Sequence, residues 1–129
     1  MVRSLFALLL TLTPALAEDV DEGAALFGFH CASCHGTGGT GDGPLSEVLT
    51  IPPADLTGLS ARNDGVFPLA RVLSRIDGTT EVLAHGAPMP VFGLILDGPS
   101  EVVLAPDGSD VAAPEALISI AAWLQTVQR

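Results

Sequence analysis

Apolar residues recur along this chain in rhythms that change from segment to segment. Leu5 to Leu12 form an almost unbroken apolar run. Further on, Val20, Ala24, Phe27 and Cys31 stand four, three and four residues apart, the stripe of an amphipathic helix over Glu18 to His35. Asp19 with Glu22 resembles a capping pair, and an acidic first turn suits the helix dipole. The glycine-rich stretch "GTGGTGDGP" ends that pattern as a loop. A short helical piece is expected around Leu45 to Leu49, stopped by Pro52 and Pro53, and one helical turn near Leu59 within an otherwise irregular segment. Leu69, Val72, Leu73 and Ile76 then fall at i, i+3, i+4 and i+7, with Pro68 as a first-turn proline and Gly78 just past the end. Thr79 to Ala113 is a long connection, within which "EVVLAPDGSDV" has the pattern of a small hairpin turning at Asp107–Gly108. Pro114 reopens a helix with Leu117, Ile120, Ala121, Leu124 and Val127 on one side. The order is helix, loops, helix, long loop, helix, with no internal repeat and no second domain.

The first apolar run changes what counts as the folded protein. Arg3, the run itself and Ala15-Leu16-Ala17 are the three parts of a secretory signal peptide. The competing reading is an uncleaved anchor, but spanning a bilayer takes about 20 apolar residues, and Thr11, Thr13 and Pro14 break this run sooner. Residues 1–17 are therefore read as a cleaved signal and 18–129 as one domain, periplasmic and without stable membrane insertion. Cleavage removes Arg3 and no acid, so the mature chain is one unit more negative than the −10 of the full chain. All its basic side chains are arginines. Such a surface repels nucleic acid and anionic lipid and favours partners with basic patches. Aromatic volume is small: one Trp, no Tyr, and five Phe of which one lies in the signal.

Both cysteines sit in "CASCH", Cys31 and Cys34 followed by His35. A dithiol redox motif belongs after a strand in a βαβ unit, and here a helical stripe precedes it. A structural zinc site needs four ligands, with only His30, His35 and His85 to join the thiols. A disulfide across so short a loop stabilises little, although export permits one. The remaining reading is covalent haem attachment, the meaning of C-x-x-C-H. Two thiols one helical turn apart reach the two vinyl groups, and His35 follows at once as an axial ligand, so one segment supplies all three bonds. A second axial ligand is available in Met89, whose neighbours Pro88 and Pro90 restrain the loop that presents it. A lone Met is otherwise a core gap-filler. His85 is the rival ligand; bis-histidine ligation lowers the potential and Met raises it. His30 is expected on the helix surface.

On these residues the chain resembles the class I cytochromes c, across the whole mature length. "GAALFGFHCASCH" matches the family's first helix and attachment motif, "MPVF" its methionine loop, and "ISIAAWLQ" its last helix. The resemblance implies an all-α fold, three to five helices wrapped around one covalently attached haem, with crossing N- and C-terminal helices. It implies contact of Trp123 with Gly23 and Phe27. It also implies that the proline of "GDGPL", Pro44, offers its carbonyl to the Nδ1–H of His35. Leu56, Leu59, Phe67, Leu69, Leu73 and Phe92 are expected to wall the haem, and Arg62 to meet a propionate. Two departures stand out: no lysine ring surrounds the haem edge, and Gly93 to Ala113 is longer than the shortest members need.

The expected function is one-electron, outer-sphere transfer by a soluble carrier containing haem c and its iron, not an enzyme, with no catalytic residue. Redox partners, donor and acceptor, would dock through basic or apolar faces. Two alternatives stay open: an electron-accepting subunit of a periplasmic dehydrogenase, and an open-site haem enzyme or sensor in which Met89 is unbound and His85 serves the distal side.

Overall fold

A computed structural model describes residues 15–79 and 89–129, with side chains from residue 20 onward. Residues 1–14, the Asp19 side chain and His85 lie outside the described residues.

The first stripe forms helix α1 (Ala15–His30), followed after Cys31 by a short helix α2 (Ala32–His35). The single helix expected to run on to His35 is thus interrupted. Cys31, at φ −116° and ψ −32°, stays in the right-handed helical region but stands well away from the ideal φ near −63°. The hydrogen bonds nevertheless continue, from Cys31 N–H to Phe27 O at 2.9 Å and from His35 N–H to Cys31 O at 2.9 Å. The interruption coincides with a thiol turned into the core, 7% exposed.

The last stripe forms helix α4 (Glu115–Thr126), entered through Pro114. Leu117, Ile120, Ala121 and Leu124 are buried as expected. α4 crosses α1 closely, because position 23 carries no side chain. A Cβ on Gly23 would overlap the Ser119 carbonyl oxygen. Phe27 and Trp123 close the crossing with ring centroids 4.3 Å apart and planes tilted by 35°. Of the contacts implied by the resemblance, Phe27–Trp123 is present, and Gly23 lies against the backbone of Ser119 and Ile120.

Helix α3 (Leu69–Asp77) buries Leu69, Val72, Leu73 and Ile76, the four positions of its stripe. Pro68 stands one place outside it, at the N-cap. Gly78 ends it at φ +89°, a left-handed conformation that glycine adopts without Cβ strain. The expected helix at 45–49 is a series of turns closed by Ser46 N–H to Gly43 O and Val48 N–H to Leu45 O. A 3-10 turn at Ala61–Asn63 lies just past the turn expected near Leu59.

The all-α expectation needs a correction. Strands β1 (Ser100–Leu104) and β2 (Asp110–Pro114) pair antiparallel, Val102 opposite Ala112. Asp107 accepts from the N–H and hydroxyl of Ser109 at 3.0 and 2.7 Å, Gly108 takes φ +87°, and Ala105 N–H closes on Ser109 O. That turn chemistry holds the hairpin. Its inner residues Ala105 and Ala113 are buried, with Val103 and Val111 packed on the same core. The stretch that looked long is therefore a packed element, not a loose loop.

Candidate functional site

Cys31, Cys34 and His35 share one turn, with Cys34 N–H and His35 N–H both bonded to the Cys31 carbonyl at 3.1 and 2.9 Å. Both thiols are free. Burial, then the neighbouring Cys34, pushes the Cys31 thiol up to about 11, so it stays a neutral thiol at physiological pH.

The loop after His35 folds back onto this turn. Gly41 N–H donates to His35 O at 2.8 Å, Gly43 N–H to Cys34 O at 3.1 Å and Leu45 N–H to Ser33 O at 2.9 Å. Gly41, at φ +84°, lies against Pro53 and Ala54, where a Cβ would clash with the Pro53 carbonyl. The second loop, 53–60, is thereby brought beside the histidine. His35 Nδ1 is 3.0 Å from the Ala54 carbonyl oxygen. A carbonyl only accepts, so Nδ1 carries the proton and Nε2 is left as the free lone pair. That tautomer is the one a metal-binding histidine uses.

This corrects the acceptor implied by the resemblance. Pro44, exposed within the turns after the glycine loop, is not the partner; Ala54 is. The Ala54 group is a backbone carbonyl, and nothing in its side chain marks it.

Met89 is half-buried and packs against the core that contains Cys31, Phe67, Leu73 and Phe92. The other expected wall residues belong to the same cluster, Leu69 buried and Leu56 and Leu59 partly so. Leu56 and Phe27 flank Gly39 of the glycine loop. Arg62 turns onto the 55–58 segment, donating from Nη2 to the Asp55 carbonyl at 2.6 Å. His30 is not a bare surface residue: half-buried, its ring meets Phe29 and Phe92 edge-on at 4.8 and 5.9 Å. Sequence reasoning also missed Asp55, Thr57, Gln128 and Arg129, which tie the chain's last residues to the loop that carries Ala54. Their bonds join residues some 70 positions apart, and no local pattern announces them.

Among the described residues no group of three His, Cys, Asp or Glu side chains gathers to hold a metal ion by itself, and no helix is long and apolar enough to cross a membrane. Two spaced thiols, an imidazole with its outer nitrogen occupied and an apolar core around them define a helical protein built to hold haem covalently. The cytochrome c family model matches residues 20–98, and the chain belongs to that family. Neither the curated proteins nor the solved structures compared with it gave a match. Membership brings covalently bound haem c with its iron and a general role in haem-based electron transfer, with Cys31 and Cys34 as the pair of its C-x-x-C-H motif. The donor set fits the group: the thiols are unpaired, and the imidazole presents its free nitrogen.

Proposed function

We propose that this protein is a periplasmic electron carrier of the class I type, exported by cleavage after Ala17, with His35 and Met89 as the two axial ligands of one low-spin haem. The haem iron, when bound, supplies a one-electron ferric–ferrous couple. Cys31 and Cys34 tether the macrocycle, and burial of Cys31 anchors that tether in the core. His35 offers Nε2 while the Ala54 carbonyl holds its other nitrogen and raises its basicity. Met89 would supply the second axial ligand, and its thioether would favour the reduced state. The apolar side chains around Met89 exclude water, which also favours the less charged ferrous form. With both ligands supplied by the chain, the iron would have no position open to a substrate, and transfer would be outer-sphere. Arg62 keeps donors beyond the one spent on Asp55 and can offer them to a propionate.

The observation that carries this reading is the His35–Ala54 hydrogen bond on the attachment turn. What supports Met89 is its half-buried place on the core shared with Cys31. The test is Met89→Ala. The wild-type ferric protein should show the weak far-red band of Met-to-iron charge transfer. The variant should lose that band, become high-spin and bind carbon monoxide when reduced. A wild-type protein that is already high-spin and binds carbon monoxide would favour the open-site alternative. Recovery in a fixed-stoichiometry complex with a dehydrogenase would favour the subunit.

A further inference from the structure

Gln128 and Arg129, just past α4, bond back to the loop that carries Ala54. Gln128 Nε2 donates to the Leu56 carbonyl at 2.9 Å and to the Leu124 carbonyl at 2.8 Å, while its Oε1 accepts from Ser60 N–H at 2.9 Å. Arg129 donates from its backbone N–H to Thr57 O at 3.0 Å and from Nε to the Thr57 hydroxyl at 2.7 Å. Its Nη2 stands 3.5 Å from the Asp55 carboxylate. That carboxylate in turn accepts from Thr57 N–H and hydroxyl at 2.9 and 2.6 Å. Thr57 is 4% exposed, while the Arg129 and Asp55 side chains bonded to it are 65% and 45% exposed. On the far side of the same segment, Leu56 N–H is bonded to Gly39 O at 2.7 Å, and the Ala54 carbonyl accepts from His35 Nδ1 at 3.0 Å.

We infer that Gln128 and Arg129 form a clasp that positions the Ala54 carbonyl on His35, and so tunes the reduction potential from the end of α4. The inference rests on His35 being an axial ligand, as proposed above. Ala54 has no side chain able to fix its own carbonyl. Its place is set by its neighbours: Asp55, Leu56 and Thr57 on one side and the glycine loop on the other. A histidine that donates its outer N–H firmly to a carbonyl becomes a more basic ligand. A more basic ligand favours the ferric iron and lowers the potential. A loosened clasp weakens that hydrogen bond and raises the potential. Gln128 and Arg129 are positioning residues, since neither is bonded to His35 itself.

Gln128→Ala tests this without changing charge. In the haem-loaded protein, its midpoint potential should rise above wild type, and the His35 Nδ1 proton should exchange faster by NMR in the ferrous state. The far-red ferric band should remain. Gln128→Glu, which keeps the acceptor for Ser60 and loses the donors, should speed the exchange in the same way, while its added negative charge by itself lowers the potential and makes its rise smaller than that of Gln128→Ala. Arg129→Ala also removes a positive charge, which by itself lowers the potential, so its smaller or opposite shift separates charge from clasp. Ala122→Gly, which weakens the same helix outside the clasp, should lower the melting temperature and leave potential and exchange unchanged. Equal potentials and equal exchange in wild type and Gln128→Ala, whatever the loss in melting temperature, would overturn the inference. Absence of the far-red band from the wild type would instead mark failure of the ligation reading, which separates the two.

Discussion

Asp55 shows how one side chain couples the fold to acidity. The Thr57 hydroxyl, then the Thr57 N–H, then the charges of Arg129 and Arg62 hold its carboxyl below the ordinary carboxylate value. A carboxyl whose folded-state value lies below its unfolded value stabilises fully above the unfolded pKa, about 3.9. That contribution is lost as pH falls through the lowered folded value. Acid below about pH 4 should therefore loosen the C-terminal clasp. Asp55→Asn is expected to flatten the acid side of the melting-temperature profile, leaving a slope to which Asp107, also lowered by its bonds to Ser109, still contributes. An unchanged slope would mean that the carboxylate does not stabilise the fold. Gly23 makes the steric case. Helix propensity alone favours alanine there by roughly 1 kcal/mol, but the new methyl would overlap the Ser119 backbone, which cannot swing aside. Gly23→Ala should destabilise by about 2 kcal/mol in denaturant titration. A neutral or stabilising result would mean that the helix crossing is looser than its geometry indicates.

The crossing of α1 and α4 should respond to the aromatic contact as well. Trp123→Ala removes the partner of Phe27 and is expected to lower stability by about 3 kcal/mol, with Trp123→Phe recovering part of it. Elements were legible where period and punctuation agree. α3 is the clearest example, with four stripe residues buried and its glycine stop left-handed. Periodicity could not see the break at Cys31, because one backbone angle changes no residue's place in the stripe. The hairpin was visible in Asp107–Gly108, yet the helical resemblance outweighed it in assigning the fold. Of the site, Cys31, Cys34 and His35 were legible because their chemistry is local. The acceptor for His35 was misplaced at Pro44, because a carbonyl supplied from 19 residues away leaves no trace in residue type.

At the scale of the whole molecule, charge and cofactor dominate. Fifteen acidic residues against five arginines give the chain a strongly negative field, which in the proposed carrier should favour partners with basic docking faces. Electron transfer to such a partner should slow as salt rises, by screening over a Debye length of about 8 Å at physiological ionic strength. A rate indifferent to salt would assign the docking to apolar contact. The core holds few aromatic rings, and Cys31 of the attachment motif is part of it. Folding and haem attachment should therefore be coupled. Cys31→Ser with Cys34→Ser is expected to yield little stable protein, and cooperative melting of a haem-free product would refute that coupling. The central claim is one low-spin, six-coordinate haem that moves single electrons, and a redox-titrated visible spectrum of the haem-loaded protein tests it most directly. The account predicts a single one-electron transition, with the far-red band present when oxidised and no change when carbon monoxide is added to the reduced form. A high-spin spectrum that shifts with carbon monoxide would contradict it.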